Sequence, residues 1–454
     1  MNRPSHTLPS PLQSAPLPEV INHTPWPSQY FQHIDQHGEV FHVMVSRTTY
    51  SLREFNRTAV GLPTPTLLPP EQQSPLCEAD QFVGAVNASS LVQESDYAPF
   101  KPKCDVLLVN AIAHTPDGKE HRRWPVGFRF GDEIQKTLQV TGPRHFERGI
   151  TSLGMLGMNE PQAATQVPLC YELAFGGPNL IAQKQALTLL TEEASTSQPV
   201  NIAAVHKFME QLPSPLPENP IGCGREPQSL IDAGLVLARL ESAALSHQQA
   251  REREEAARSS RRAAPQIEAL NRPYRGERDY RVIGVGPIGR WWRPRLQLAG
   301  TYDAQWKQTQ WPKSPLDHDY RYWNCAPEDQ QIDYPQGGEE IALANLVLAS
   351  AAATWQTRDG GPVRFALPTQ DLQLLVRLQV GVMMFAPMHI DTIVIDFKAA
   401  TLSIVRRATL SARTEVRQLE LGTWPAGTGM QLDEEMKSKA RPPSANRKAG
   451  AHGR

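Results

Sequence analysis

The chain has 454 residues, of which 40% are hydrophobic and 20% are charged, and its formal net charge at pH 7 is −1. This is ordinary globular usage, sufficient for sizeable hydrophobic cores and for two lobes with accessory segments. A net charge so close to zero excludes a general electrostatic attraction to nucleic acid or to an anionic membrane, so neither is an expected partner.

The proline and cysteine content of the chain indicates the fold class and the cellular compartment. The 40 prolines outnumber the 30 glycines, and because proline is expelled from helix interiors and central strands, they favour many short strands joined by rigid turns. The cysteines are scattered and form no C-x-x-C pair, which argues against a disulfide framework and a zinc site. We therefore expect a reducing, cytoplasmic location and no metal or other cofactor. The cysteines are Cys77, Cys104, Cys170, Cys223 and Cys325.

The first 177 residues are predicted to form a flexible lead and then a β-rich lobe. Residues 1–18 contain five prolines and no apolar stretch, so they lack the pattern of a signal peptide. Residues 19–177 follow a strand-and-turn pattern, whose partial alternation is typical of strands buried on both faces. Strands are predicted at residues 40–45, 104–110 and 136–140.

Residues 178–271 are predicted to form a helical insertion. Residues 180–195 and 201–211 have a helical composition, and residues 229–264 form a longer candidate helix. The first half of that helix has apolar residues at helical spacing, whereas the second half is polar on every face. Such a helix either lies in solvent or waits for a partner.

Residues 272–425 are predicted to form a second β-rich lobe, and residues 426–454 a basic, disordered tail. The apolar run at 341–355 is too short to span a bilayer. The predicted fold class is mainly β, with two β-sandwich-like or barrel-like lobes and an α-helical insertion between them. Strands of the second lobe are predicted at residues 341–346, 365–368, 393–397 and 401–405.

Motifs for catalysis are weak. Gly284-Val-Gly-Pro-Ile-Gly289 has the spacing of a dinucleotide-binding loop, but Pro294 would break the helix that must begin there. We expect a protein without enzymatic activity. The alternative is a hydrolase, which would need a carboxylate pair that converges with a histidine in a deep pocket. The candidate carboxylates are Asp96, Asp105, Glu172 and Asp303.

Segment 290–323 is rich in tryptophan and arginine, with five of the nine tryptophans of the chain. Aromatic and arginine side chains dominate protein interfaces, because they bury large areas with few rotatable bonds and stack on one another. A protein interface, an aromatic core, and a site for carbohydrate or single-stranded nucleic acid all stay open. The candidate partner-binding residues here are Arg290, Trp291, Trp292, Arg293, Arg295, Tyr302, Asp303 and Trp306.

Segment 94–106 is a second candidate region, because charged residues there flank two prolines. The prolines favour extended backbone, so Lys101 and Asp105 are predicted to frame a rigid turn before a strand. These charges either contact a partner or form an internal ion pair that fixes the turn. The candidates are Asp96, Lys101, Lys103 and Asp105, together with Tyr171 and Glu172 further along the chain.

Several stretches, taken in order along roughly residues 19–410, resemble one bacterial family. No single stretch is a chemical signature, so their number and order carry the resemblance. They include Asn22-His-Thr-Pro25, Glu94-Ser-Asp-Tyr-Ala-Pro-Phe-Lys-Pro-Lys-Cys-Asp-Val106, Asn219-Pro-Ile-Gly-Cys-Gly224 and Asn324-Cys-Ala-Pro-Glu-Asp-Gln330. The chain is similar to an uncharacterised domain family encoded beside type VI secretion genes in Gram-negative bacteria, whose members act as adaptors or chaperones for toxic effectors.

The resemblance implies an adaptor that binds a type VI effector, one linked to a PAAR-type tip domain, and helps to load it onto the VgrG spike. It supplies no catalytic residues. The spacing between motifs is longer here than in the core of the family, so the insertion at 178–271 is the natural place for cargo selectivity. An effector-modifying enzyme and a carbohydrate- or nucleic-acid-binding module remain the alternatives.

Overall fold

A computed structural model describes residues 17–57, 61–148, 156–177, 215–225, 248, 262–277, 279–347 and 361–424. These residues are mainly β, as predicted. The strands are β1 (Glu19–Asn22), β2 (Ser28–Ile34), β3 (Val40–Asn56), β4 (Thr64–Leu67), β5 (Gln81–Phe82), β6 (Leu91–Gln93), β7 (Cys104–Val109), β8 (Ile112–His114), β9 (Arg123–Phe130), β10 (Ile134–Thr141), β11 (His145–Arg148), β12 (Leu156–Met158), β13 (Gln166–Pro168), β14 (Phe175–Gly176), β15 (Cys223–Gly224), β16 (Arg262–Ala263), β17 (Ile267–Ala269), β18 (Gln331–Ile332), β19 (Glu340–Ala344), β20 (Val363–Ala366), β21 (Leu372–Leu378), β22 (Met383–Pro387), β23 (His389–Asp396), β24 (Thr401–Ser411) and β25 (Val416–Thr423).

The helices that the structure describes with defined ends are short. The α-helices are α1 (Arg293–Leu296) and α2 (Ala304–Thr309). Single 3₁₀ turns lie at Pro70–Gln72, Tyr171–Leu173, Tyr320–Trp323 and Glu328–Gln330. All of these elements are connections between strands or caps over them, so the sheets determine the fold.

Burial follows the strand period. In β9 the buried residues Trp124, Val126, Phe128 and Phe130 alternate with more exposed ones, as expected where one face of a strand meets the core. In β7 all six residues are buried. The reason is that one face of β7 lies on the main core, while the loop at residues 325–326 covers the other face.

Three sheets make up most of the described fold. The central sheet has seven strands in the order β18-β7-β23-β24-β3-β2, with β4 also paired with β3. In it β7 and β23 are parallel, and the other pairs are antiparallel. A five-stranded antiparallel sheet has the order β17-β10-β9-β19-β20, and a four-stranded sheet has the order β1-β25-β21-β22.

The long strands β3 and β24 run through two hydrophobic cores. Leu52 and Ile404 of the central sheet pack in the large core with the five-stranded sheet, whereas Met44 and Leu410 pack in a smaller core with the four-stranded sheet. The fold therefore contains two sandwich-like units that share the central sheet. The barrel-like alternative is wrong for the described residues, because none of their sheets closes on itself.

Polar residues fill the junction between the two cores. Arg406 donates to the Thr48 hydroxyl at 3.0 Å and to the Gln370 side-chain oxygen at 3.1 Å. Its neighbour Arg407 forms a 2.6 Å ion pair with Asp391, and both members are buried. These contacts let β24 continue as a strand from one core into the other.

Strands of the two predicted β-rich segments share the same sheets. From the N-terminal segment, β1, β3, β7 and β9 pair with β25, β24, β23 and β19 of the C-terminal segment. The predicted boundaries at residues 177 and 272 therefore divide the sequence but not the sheets. Strands β15, β16 and β17 also fall within the predicted helical insertion and pair with β14, β11 and β10.

Several predicted segments lie outside the described residues. These are the candidate helices at 180–195 and 201–211, most of the candidate helix at 229–264, most of the lead, and the basic tail at 426–454. At the end of the candidate helix at 229–264 the helix prediction is wrong, because Arg262 and Ala263 form β16 and pair with β11. Among the described helices, none has the length and apolar character needed to cross a membrane.

Candidate functional site

Lys101 and Asp105 form a buried ion pair at the start of β7. The Lys101 Nζ lies 2.8 Å from Asp105 Oδ2 and 2.9 Å from Thr392 Oγ1 of β23. Asp105 also accepts the backbone N–H groups of Cys325 at 3.0 Å and Ala326 at 3.1 Å. Burial by itself would lower the pKa of Lys101, but the Asp105 carboxylate outweighs it and raises that pKa above its ordinary value. Of the two alternatives for these charges, the structure shows the internal ion pair.

The other two charged candidates of segment 94–106 differ in burial. Asp96 is buried, accepts from Arg47 Nη1 at 3.2 Å, and accepts the backbone N–H of Cys77 at 2.7 Å. Lys103 has an exposed side chain. Of the four charged candidates at 94–106, Lys103 alone presents its side chain to solvent.

Arg290 and Arg295 converge on the buried carboxylate of Glu94. Their nearest nitrogens lie 2.9 and 2.7 Å from Glu94 Oε1. Arg290 also forms a forked pair with Asp80 at 2.9 and 3.2 Å, and Arg295 donates to the Tyr322 carbonyl at 2.7 and 3.0 Å. Burial would lower the pKa of Arg295, but Glu94 raises it. These two arginines therefore form intramolecular contacts that join separate segments of the chain.

Tyr171, Glu172 and Trp292 form a second internal cluster. Glu172 accepts the Ser90 backbone N–H at 2.7 Å and its hydroxyl at 2.5 Å. The Tyr171 hydroxyl donates to the Gly286 carbonyl at 3.0 Å, and its ring meets Trp292 edge to face at 4.9 Å. Burial raises the pKa of Tyr171, so the phenol stays a neutral donor. These contacts close loops over the large core.

Tyr302, Trp306 and Trp311, which surround the short helix α2, form an exposed surface that we call the aromatic ledge. The ring centroids of Tyr302 and Trp306 are 4.7 Å apart at 72°, and those of Trp306 and Trp311 are 5.8 Å apart at 90°. Edge-to-face contacts of this kind are favourable for aromatic pairs. Even so, Tyr302 is 57% exposed and Trp311 is 63% exposed. The ledge therefore offers a large apolar area that the described chain does not cover.

Hydrogen bonds fix the ledge in place. Asp303 caps α2, because its carboxylate accepts the backbone N–H of Trp306 at 2.7 Å. The Trp306 indole donates to the Lys313 carbonyl at 3.0 Å. At the base of the ledge, Asp317 accepts the backbone N–H of Thr301 at 2.9 Å and its hydroxyl at 2.7 Å. A surface held this firmly loses little conformational entropy when a partner binds.

The tryptophan- and arginine-rich segment is thus split into an internal part and an exposed part. In the internal part, Trp291 is partly buried and meets Trp292 edge to face at 6.2 Å. Between the two parts, Arg293 is exposed and lies 3.2 Å from Glu218. Sequence reasoning did not select Trp311, although it stands in the same tryptophan-rich stretch. The useful signal was Asp303, whose position three residues before Trp306 is typical of a helix cap.

The motif Asn22-His-Thr-Pro25 forms the turn between β1 and β2 and lines an open groove with Trp26 and Tyr30. The Asn22 side chain donates to the Trp26 carbonyl at 3.0 Å and accepts the Thr24 backbone N–H at 2.8 Å. These bonds are those of a turn-forming asparagine. The motif therefore sets the direction in which the chain enters the central sheet.

The carboxylates of the enzyme alternative lie in four separate contacts. Asp96 pairs with an arginine, Asp105 with a lysine, and Glu172 with a serine, while Asp303 caps a helix. Within the described ranges, no group of three or more His, Cys, Asp or Glu side chains is arranged to hold a metal ion. The structure does not bring these four candidates together around one reacting atom.

Comparison with known proteins gives one family match. The family model described as "Uncharacterized protein conserved in bacteria (DUF2169)" matches residues 38–407. This range extends from just before β3 into β24. It includes all the candidate partner-binding residues, from Asp96 to Trp306, whereas the motif at 22–25 lies before it. No curated protein and no solved structure matches the chain.

Proposed function

The chain belongs to the DUF2169 family of uncharacterised proteins conserved in bacteria, and on this premise we propose that it is a type VI secretion adaptor that binds an effector without turnover. In this proposal the effector is linked to a PAAR-type tip domain, and the adaptor helps to load it onto the VgrG spike. The ordered motifs of the sequence supply the link to secretion. The aromatic ledge is the observation that supports binding.

The ledge is large enough to be the energetic centre of a protein interface. A large aromatic side chain buries about 150–250 Å² when it is covered. At about 25 cal/mol per Å², covering the exposed parts of Tyr302 and Trp311 would favour association by about 5 kcal/mol before the entropic costs of binding. Rigid aromatic side chains of this kind are typical hot spots of protein interfaces.

The charges around the segment favour a protein over nucleic acid as the partner. Binding of single-stranded nucleic acid combines stacking rings with a positive path for the phosphates. Arg290 and Arg295, which would provide such a path, are paired internally with Glu94. Arg293 is exposed but lies 3.2 Å from Glu218.

A pull-down after co-expression with the effector and spike proteins encoded beside the gene tests the proposal. The informative variant is the double change Tyr302→Ser and Trp311→Ser, since both side chains are more than half exposed and their loss should therefore leave the fold intact. The matched control is Val83→Ser and Val86→Ser, two similarly exposed apolar residues near β5. We expect the ledge variant to bind the effector at least tenfold more weakly, and the control to bind like the wild type.

The other outcomes distinguish an error in the position of the interface from an error in the proposed function. If the ledge variant retains the effector like the wild type, the interface lies elsewhere, and a deletion of residues 229–261, which leaves β16 and Ala264 in place, tests the predicted helical arm. If the wild type retains neither a folded effector nor a spike protein, the adaptor proposal is wrong.

A further inference from the structure

Within the described part of the chain, the outer edge of β22 lacks the backbone contacts and the charged residue of its own that other sheet edges have. Natural proteins block edge strands with charges, capping groups or covering loops, because free backbone groups recruit other strands. Edge strand β1 begins with the charged Glu19, and in β2 the carbonyls of Tyr30 and Ile34 accept side-chain hydrogen bonds. In β20 the Ala366 N–H donates to a loop carbonyl. Strand β22, with the sequence MMFAP, has no charged residue.

The register of the β21–β22 hairpin shows which backbone groups of β22 are free. The turn contains Gly381 in the left-handed region, and the Leu378 N–H donates to the Val382 carbonyl at 2.9 Å. Hydrogen-bonded and non-hydrogen-bonded positions alternate along an antiparallel pair. The N–H and C=O groups of Met383 and Phe385 therefore point away from β21, toward a side where no described strand lies.

The side chains at this edge are apolar and exposed. Val380 is 79% exposed, Val382 is 49% exposed and Met383 is 56% exposed. Phe385 lies beside them and packs on Trp424 with the ring centroids 5.5 Å apart. Exposed apolar groups next to free backbone donors and acceptors are the features of a strand that adds to another strand.

We propose that β22 pairs with β22 of a second copy of this chain. The two strands run antiparallel about a two-fold axis at Met384, and the four-stranded sheets of the two copies join into one. In this register Met383 of each copy lies opposite Phe385 of the other. All the outward N–H and C=O groups of these two residues then form hydrogen bonds, and their apolar side chains form cross-strand pairs.

The edge is complementary to its own copy, which is what a two-fold interface requires. Met383 and Phe385 each direct a backbone N–H and a C=O away from β21. Around the two-fold axis, Met383 of one copy can bond to Phe385 of the other through both groups. Pro387 has no N–H, so a longer strand from an unrelated partner would gain little beyond these bonds. The nearest charge is Arg377 of β21, whose Nη1 lies 2.6 Å from the Met383 sulfur, and its ion pair with Glu420 of β25 balances that charge within each copy.

Sedimentation of the purified chain without an effector tests this inference separately from the proposed function. We expect a concentration-dependent dimer. Met383→Lys should raise the dissociation constant of this dimer at least tenfold, because natural proteins use lysine to block strand edges. The matched control Val83→Lys places the same charge at an exposed valine elsewhere and should leave the dimer unchanged.

Cysteine crosslinking tests the register. At the two-fold axis the Cα atoms of the two Met384 residues would be about 4.5 Å apart, within disulfide range. Met384→Cys should therefore crosslink the dimer under mild oxidation, whereas Met383→Cys should not crosslink. The wild type under the same oxidation shows the background from the native cysteines.

Three results would overturn the inference. One is a wild-type chain that stays monomeric over the whole concentration range. Another is a dimer that is unaffected by Met383→Lys and not crosslinked through Met384→Cys, since its interface would lie elsewhere. The third is a monomer whose binding to another protein is abolished by Met383→Lys, which would assign the β22 edge to a different partner.

Discussion

Buried charged residues hold the loops of this protein to its sheets. Lys101 with Asp105 joins β7 to β23, and Asp96 with Arg47 ties a loop to β3. Because a buried ion is expensive unless it is paired, each of these contacts determines where its loop must lie. A single substitution within such a pair therefore has a larger effect than the loss of one hydrogen bond.

The first prediction concerns the Lys101–Asp105 pair. Lys101→Met leaves the buried carboxylate of Asp105 without its cation, so we expect a loss of about 3–5 kcal/mol in the free energy of unfolding. The control Lys103→Met changes the neighbouring exposed lysine and should cost less than about 0.5 kcal/mol. Urea denaturation followed by tryptophan fluorescence measures both, and equal losses would contradict the structural role of the pair.

The second prediction concerns thiol chemistry. Burial raises the pKa of Cys77 to about 11, and the pKa values of Cys170 and Cys223 to about 12. Since the thiolate is the reactive form, these thiols should react with a disulfide reagent at pH 8 at least a hundredfold more slowly than in the unfolded chain. Reactivity should rise as the pH rises. A rapid stoichiometric reaction of the native protein at pH 8 would show that one of these sites is open.

The candidate site was only partly predictable at this scale. The spacing of Lys101 and Asp105 around a proline allowed an internal ion pair to be considered from sequence. The pairing of Arg290 could not be foreseen, because its partner Asp80 lies 210 positions away. For the same reason, a segment that has one composition in the sequence separates into a buried half and the aromatic ledge in the structure.

Secondary structure elements were easier to predict than their ends. The strand predicted at 104–110 is β7 almost residue for residue, because its apolar run from Val106 to Val109 has no interruption. The strand predicted at 401–405 continues to Ser411, and the prediction stopped where Arg406 and Arg407 begin. Two consecutive arginines indicate a solvent-exposed end of a strand, but here Gln370 and Asp391 receive them in the interior.

The third prediction concerns the sheet formed by β1, β25 and β21. Arg377 of β21 at 2.5 Å, and His23 after β1 at 2.9 Å, both contact Glu420 of β25. Their hydrogen bonds lower the pKa of Glu420 below its ordinary value of about 4.5. A carboxylate with a lowered pKa in the folded state stabilises the fold above its unfolded pKa, and this contribution disappears as the pH falls through the folded value.

Glu420→Gln tests this linkage. The wild type should be more stable than the variant at pH 6, and the difference should shrink as the pH is lowered from about 5 to about 3. The control Glu415→Gln changes an exposed glutamate in the turn before the same strand and should show no such convergence. A stability difference that does not vary with pH would mean that Glu420 acts through packing and not through its charge.

At the scale of the whole molecule, the fold class followed from proline content and strand patterns, but the arrangement of the strands did not. Strand partners are far apart in sequence; for example, the Thr48 hydroxyl of β3 contacts the Ile404 carbonyl of β24 across 356 positions. Apolar patterns show that a strand has a buried face, but they do not identify its neighbour. Two sequence segments therefore suggested two lobes, while the sheets combine both segments.

The fourth prediction follows from this shared construction. Residues 1–271 and 272–454, expressed as separate chains, should each fail to show a cooperative unfolding transition, because each half lacks the partners of its longest strands. Co-expression of the two halves should restore a soluble complex with one transition. If residues 1–271 alone unfold cooperatively with a native-like circular dichroism spectrum, the N-terminal segment is an independent domain.

The pairing of β3 with β24 also means that β3 is synthesised long before its partner strand. Translation proceeds at about 5–20 residues per second, so β3 leaves the ribosome roughly 20–70 s before β24 has been made. During that time the nascent chain carries a strand of 17 residues whose partner has not yet been made, and it cannot complete either core. Yield in the cell should therefore depend on factors that shield nascent chains, and slowing translation should lengthen the vulnerable period without helping the protein to fold.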